Sequence, residues 1–135
     1  MILVDTSVWI DFFCARNAPG AAFLKSLIEL REKVCLCGVI LTEALQGIRD
    51  DKEFEKTEAL LSNLIFLPMD RDTFLHASNI YRTFRSRGTT IRNSVDCMIA
   101  AVCIEHNVEL LHNDRDFDRI ANEFDLRIVE SRIVH

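Results

Sequence analysis

The sequence predicts an α/β fold: a three-layer α/β/α sandwich around a mostly parallel central sheet of four to five strands. Three observations carry this. Short apolar runs ("MILV", "VCLCG", "IFLPM", "VELLH", "LRIVE") alternate with longer segments of helical period. The runs are continuous rather than alternating, as expected of strands buried on both faces and joined by right-handed crossovers. Two of the runs end at or just before an aspartate, Asp5 and Asp114, and in open parallel sheets the strands' carboxyl ends are where ligands sit.

The elements follow in order. "MILV" is a strand ending at Asp5, and "TSVWIDFFC" has helical spacing with Trp9, Phe12 and Phe13 on one stripe. "NAPG" is a turn whose Pro19 suits the first turn of the next helix. That helix, over about residues 20 to 32, directs Phe23, Leu27, Ile28 and Leu30 inward and Lys25, Glu29 and Arg31 outward. "VCLCG" is a second buried strand, and "VILTEALQG" a helix stopped near Gly47. "DDKEFEKTEALLSNL" is an amphipathic helix with an acidic start that suits the macrodipole. "IFLPM" is the third strand. Asp70 caps a long helix reaching about Arg87 and ended by Gly88. "TTIRN" is a loop. "SVDCMIAAVCIEHN" is apolar over most of its circumference, so it is a central helix. "VELLH" is the fourth strand, "DFDRIANEF" a helix with Asp116 as its cap, and "LRIVE" a last strand.

The chain of 135 residues reads as one domain, 1–135. With 49% hydrophobic residues, four Gly and two Pro, it has material for a core and few breakers. No apolar run reaches the ~18 residues of a membrane helix, and the start has no basic n-region of a signal peptide. A cytoplasmic location is expected. The five cysteines (Cys14, Cys35, Cys37, Cys97, Cys103) are odd in number and sit in apolar stretches. They read as small buried hydrophobes in a reducing compartment. The net charge of −5 argues against a nucleic-acid partner unless acids are gathered around cations, which reverse the local field.

Four acids invite that reading. Asp5 stands at a strand end, where a helix cap is the alternative role. Glu43 lies in a mostly apolar helix that offers no obvious outward face, although a single solvated Glu on a helix is ordinary. Asp96 enters the most apolar helix, one turn after its cap at Asn93 or Ser94. The helix N-terminus favours an anion there, but a carboxylate entering a buried helix is costly unless paired or bound to a metal. Asp114 closes the fourth strand. Asp118 lies in a helix's first turn and reads as surface. If these acids meet with neighbours ~6 Å apart, each ionised pair repels by roughly 3 kcal/mol at an effective dielectric of about 20. Hard divalent ions remove that conflict. Oxygen ligands without clustered His or Cys suit Mg²⁺ or Mn²⁺, and two such ions can hold a phosphodiester, activate water and stabilise the leaving oxygen.

The basic residues gather in "YRTFRSRGTTIRN", where Arg82, Arg85, Arg87 and Arg92 precede the helix of Asp96 with no acid among them. They are candidates for phosphate positioning, or cations near a helix C-terminus. Tyr81 is a core residue or a base-stacking one. His112 ends a strand and reads as structural, with a catalytic role as the alternative.

Four stretches in order across the whole chain, "ILVDTSVWIDFF", "LTEALQG", "SVDCMIAA" and "LLHNDRDF", resemble the PIN-domain ribonucleases, specifically the VapC-type toxins of toxin–antitoxin pairs. The resemblance implies a PIN-like (flavodoxin-like) sandwich and a metal-dependent RNA endonuclease that leaves 5′-phosphate and 3′-hydroxyl ends. Its ligands fall on Asp5, Glu43, Asp96 and Asp114, the small hydroxyl after the first acid on Thr6, and the second acid of the last motif on Asp116. His112 stands where many relatives carry Thr. The resemblance also implies Mg²⁺ or Mn²⁺, a homodimer, a cognate VapB-type antitoxin that blocks the cleft, and a heterotetramer or larger assembly with it. A non-toxin PIN nuclease and a non-catalytic PIN-like scaffold are the other readings. A haloacid-dehalogenase-type phosphatase is disfavoured, because Ser7 occupies the place of its second acid.

Overall fold

The computed structural model describes residues 1–129. Strands β1 (Ile2–Val4), β2 (Val34–Cys37), β3 (Ile65–Leu67) and β4 (Glu109–Leu111) form one sheet in the order β3-β2-β1-β4, with every pairing parallel. Seven helices connect and flank them: α1 (Thr6–Phe13), α2 (Pro19–Glu29), α3 (Gly38–Gln46), α4 (Asp51–Leu61), α5 (Arg71–Ser86), α6 (Ser94–His106) and α7 (Arg115–Glu123). β1 lies centrally in register with both neighbours, Ile2 opposite Val34 on one side and Glu109 on the other.

Successive strand side chains point to opposite faces. All four residues of β2 are buried, as are Leu3 and Val4 of β1 and Leu110 and Leu111 of β4. Both faces of these strands are therefore covered, as the continuous apolar runs require. β3 departs from the expectation. It is an edge strand in which only Leu67 is buried, while Ile65 and Phe66 are exposed. An apolar triplet does not encode whether its strand is central or lateral.

Local signals act where expected. Pro19 is the first residue of α2, and Gly47 caps α3. Asp70 makes a reciprocal capping box with Thr73 at the start of α5. Gly88, at φ +79, follows the α5 C-cap in the left-handed region that a Cβ disfavours. The central helix α6 is the most deeply set, with six consecutive or near-consecutive residues from Cys97 to Cys103 buried.

Three expectations are corrected. Leu30 is exposed, because α2 ends at Glu29 and the C-cap residue has left the helical stripe; Leu24 and Leu27 are the buried leucines there. The aromatic stripe of α1 forms as expected, with the exposed Phe13 packing its ring on buried Trp9 at 5.6 Å between centroids. Cys14 is exposed beyond the end of α1, whereas the other four thiols are buried. The last strand reduces, among the described residues, to one parallel bridge between Ile128 and Leu110; Glu130 lies outside the described residues.

Candidate metal centre

The main-chain N–H of Asp5 donates to the carbonyl of Leu111 at 2.9 Å, so the carboxyl ends of β1 and β4 sit side by side. Asp5 is the N-cap of α1. Its Oδ2 accepts from the Ser7 hydroxyl at 2.6 Å and the Ser7 N–H at 3.3 Å. It is buried, and burial raises its pKa above the ordinary carboxylate value despite these bonds, the Thr6 main chain and the nearby His112.

Thr6, the next residue, is also buried and carries the link to a second element. Its Oγ1 donates to Glu43 Oε1 at 2.8 Å. That bond brings α3 to the end of β1 and answers which way Glu43 faces: toward the cleft, half-buried. The thiol of Cys37, at the end of β2, is pushed up to about 11 by burial and, further down, by the charges of Asp5 and Glu43.

Asp96 lies in the first turn of α6, whose cap is Asn93, the side chain accepting from Val95 N–H at 3.0 Å. Among the described residues no donor reaches the Asp96 carboxylate. Its pKa is pushed up to about 7, first by burial and then by the charges of Asp5, Asp114, Asp116 and Glu43. These five acids therefore share one electrostatic field. They lie near one another without closing on a point, since among the described residues no three acidic, His or Cys side chains are near enough together to hold one ion as they stand.

The second half of the cleft is built differently from expectation. Asp114, not Asp116, is the N-cap of α7, its Oδ1 accepting from the Asp116 N–H at 3.0 Å. The helix starts at Arg115, so Asp116 falls in its first turn and points inward, with only 1% of its surface exposed. A buried carboxylate needs partners, and Asp116 has two guanidinium groups. Arg119 Nη1 donates to Oδ1 at 3.3 Å, while Arg92 donates to Oδ2 through Nε at 3.4 Å and through its N–H at 3.3 Å. Arg92 Nη2 also reaches Asp114 Oδ1 at 3.2 Å.

His112 is a brace. Its Nδ1 accepts from the Asp114 N–H at 2.9 Å, which leaves the proton on Nε2 to donate to Asp118 Oδ1 at 3.2 Å. Its ring sits 5.1 Å from that of Phe117. Both nitrogens are engaged, so His112 is not a free base. Asp118 is exposed as expected but holds this ring.

The four arginines separate. Only Arg92 touches the acids. Arg87 pairs with Glu123. Arg82 and Arg85 line a groove beside Phe74, Tyr81 and Met98, with the Arg85 guanidinium 5.9 Å from the Tyr81 ring centre. Sequence reasoning missed Arg119 and Ser7 as partners of the acids. Arg119 was open to inference from its i+3 spacing to Asp116.

The donor set suits a hard divalent ion. It is all oxygen, and both oxygens of Asp96, Oε2 of Glu43 and Oδ2 of Asp114 lack a hydrogen-bond donor among the described residues.

The chain is similar to known proteins over most of its length. The profile of the PIN domain matches residues 2–123. Ribonuclease VapC11 of Mycobacterium tuberculosis is 37% identical over 134 residues, covering 98% of this chain and all of that protein. Ribonuclease VapC1 of Methanocaldococcus jannaschii is 30% identical, covering 96% of this chain and 87% of its own. In fold, the chain is similar to a toxin–antitoxin complex from Klebsiella pneumoniae (TM-score 0.73, 18% identity, 97% of this chain and 98% of that one). It is equally similar to VapBC2 from Rickettsia felis bound to a promoter DNA fragment (TM-score 0.73, 19% identity, 96% and 98%).

Proposed function

Because the chain belongs to the PIN-domain family, with VapC ribonucleases among its relatives along nearly its full length, we propose that it is a metal-dependent endoribonuclease, the toxin of a toxin–antitoxin pair. The observation that carries the metal site is Asp96: a half-buried carboxylate without a donor among the described residues, facing four other acids. Such a site must hold protons or bind cations.

In this reading Asp5, Glu43, Asp96 and Asp114 would hold Mg²⁺ or Mn²⁺, two ions in the active complex, with Asp116 beside them, held by Arg92 and Arg119, as a further oxygen donor. Bound there, the ions would polarise the scissile phosphodiester and lower the pKa of attacking water. The chain's own residues do the positioning. Ser7 and Thr6 orient Asp5 and Glu43 through short hydroxyl bonds. His112 holds the main chain of Asp114. Arg92 stands at the cleft as a phosphate ligand, while Arg82 and Arg85 on α5, and Arg87 at its C-cap where it pairs with Glu123, extend a basic rim for RNA. The products are 5′-phosphate and 3′-hydroxyl ends, and the substrate is a structured RNA such as transfer or ribosomal RNA.

The protein acts as a homodimer and is silenced by a cognate VapB-type antitoxin. The solved relatives named for toxin–antitoxin assemblies support that partner. Four buried free thiols suit the cytoplasm, and no helix among the described residues is long and apolar enough to cross a membrane.

The test is cleavage of structured RNA by the purified, partner-free protein. Cuts that need Mg²⁺ or Mn²⁺, stop with EDTA, disappear in Asp96→Asn, and leave ends that ligate as 5′-phosphates support the reading. Cleavage that survives EDTA or Asp96→Asn refutes it.

A further inference from the structure

Arg92 is exposed on the loop between α5 and α6, with 76% of its side chain accessible, yet its polar contacts turn inward. They divide unequally. Its N–H and Nε anchor it to Asp116 Oδ2. Only Nη2 reaches the strand-end carboxylate, Asp114 Oδ1. Asp116 is a firm post for that anchor, because it is buried and its other oxygen is held by Arg119. Asp114 does not depend on Arg92 for its position. The Asp116 N–H donates to the same Oδ1 at 3.0 Å, and His112 holds its main chain. The Nη2 contact can therefore break without disturbing the carboxylate, and the guanidinium stays tethered beside the cleft.

A mobile cation anchored on one acid and resting on its neighbour supplies positive charge where two carboxylates face each other. Neither Arg87, spent on Glu123, nor the α5 pair Arg82 and Arg85 touches the acids. We infer that Arg92 is an internal counter-ion of the cleft, which neutralises Asp114 in the metal-free protein and competes there with a divalent cation. Asp116 is then the positioning residue for Arg92. The inference rests on the reading of Asp114 as a metal ligand and concerns how that ligand is kept and released. Once displaced, the guanidinium is free for a phosphodiester, so cation binding and exposure of a phosphate ligand are one event. The exchange is shallow, because a well-exposed ion pair is screened by solvent.

The experiment is calorimetric titration of Mn²⁺ into partner-free protein, parent against Arg92→Gln, with thermal melts of both in EDTA and in saturating Mn²⁺. Arg92→Gln is expected to bind Mn²⁺ roughly 2- to 5-fold more tightly, the size of one exposed ion pair. Its Tm falls further below the parent's in EDTA than in Mn²⁺. Equal or weaker Mn²⁺ binding by a folded Arg92→Gln overturns the inference alone. If Arg92→Gln does not fold, Arg92→Met decides the matter. It removes the charge but keeps most of the side chain's length, so tighter binding supports the inference and equal or weaker binding overturns it. A parent that takes up no Mn²⁺ overturns the inference together with the metal site beneath it.

Discussion

Asp96 and Asp116 face the same cleft from the first turns of two helices, and they are treated in opposite ways. Asp116 is almost wholly buried and has two guanidinium groups within hydrogen-bond reach. Asp96 is half-buried and has no donor among the described residues, only the repulsion of its acidic neighbours. Burial alone does not explain the difference, since the more buried acid is the compensated one. The α7 side carries its own cations, whereas the α6 side leaves its acid unanswered. A carboxylate left without counter-ions beside a compensated neighbour supports the proposed cation site.

That contrast can be broken or sharpened by substitution. The largest effect falls on Asp96→Asn. RNA cleavage drops by more than about 100-fold, beyond the 10–100-fold that loss of an outer-sphere partner costs, while the melting temperature in EDTA rises because repulsion is relieved. Gel assays of cleavage and thermal melts read the two together. Asp116→Asn acts the other way on stability. It removes the charge from the hydrogen bonds of Arg92 and Arg119 and costs about 1–2 kcal/mol, measured by urea unfolding in EDTA.

The next effect is on pH. Asp96 has a folded pKa of about 7 against an ordinary 3.8, and Asp5 is raised in the same sense. Between those values the folded protein binds more protons than the unfolded chain. Stability of the metal-free protein therefore falls as pH rises from about 4 through about 7 and levels off above, as melts across that range will record. In Asp96→Asn the slope shrinks to the part that Asp5 contributes. The smallest effect separates cleft from surface. Arg87→Ala, which frees Glu123 at the surface, changes unfolding free energy by less than about 1 kcal/mol. Arg119→Ala, which strips a donor from buried Asp116, costs more in the same denaturant titration.

The sequence reveals one side of this contrast better than the other. Asp5 and Asp114 are legible because strand ends in a parallel sheet are binding positions, and the four short stretches that resemble PIN domains point to the same acids. Asp96 is legible as an acid entering an apolar helix. The compensation of Asp116 is not. Arg92 is 24 residues away along the chain, and only the tertiary fold brings its loop against α7. The cap of α7 is hidden for a related reason: "DRD" offers two aspartates, and local pattern does not decide which one the strand leaves at the helix start. In the fold, the alternation of strands and helices indicates a parallel sheet. The exposure of Ile65 and Phe66 follows from β3 lying at the edge, which depends on strand order and not on the triplet itself.

The central claim is that the uncompensated acids are the cation site. Calorimetric titration of Mn²⁺ into the metal-free parent and into folded Asp96→Asn tests it most directly. Saturable binding by the parent is expected, with a loss of at least about tenfold in affinity for Asp96→Asn, no less than removal of an outer-sphere partner costs. Equal affinity in the two proteins would contradict it.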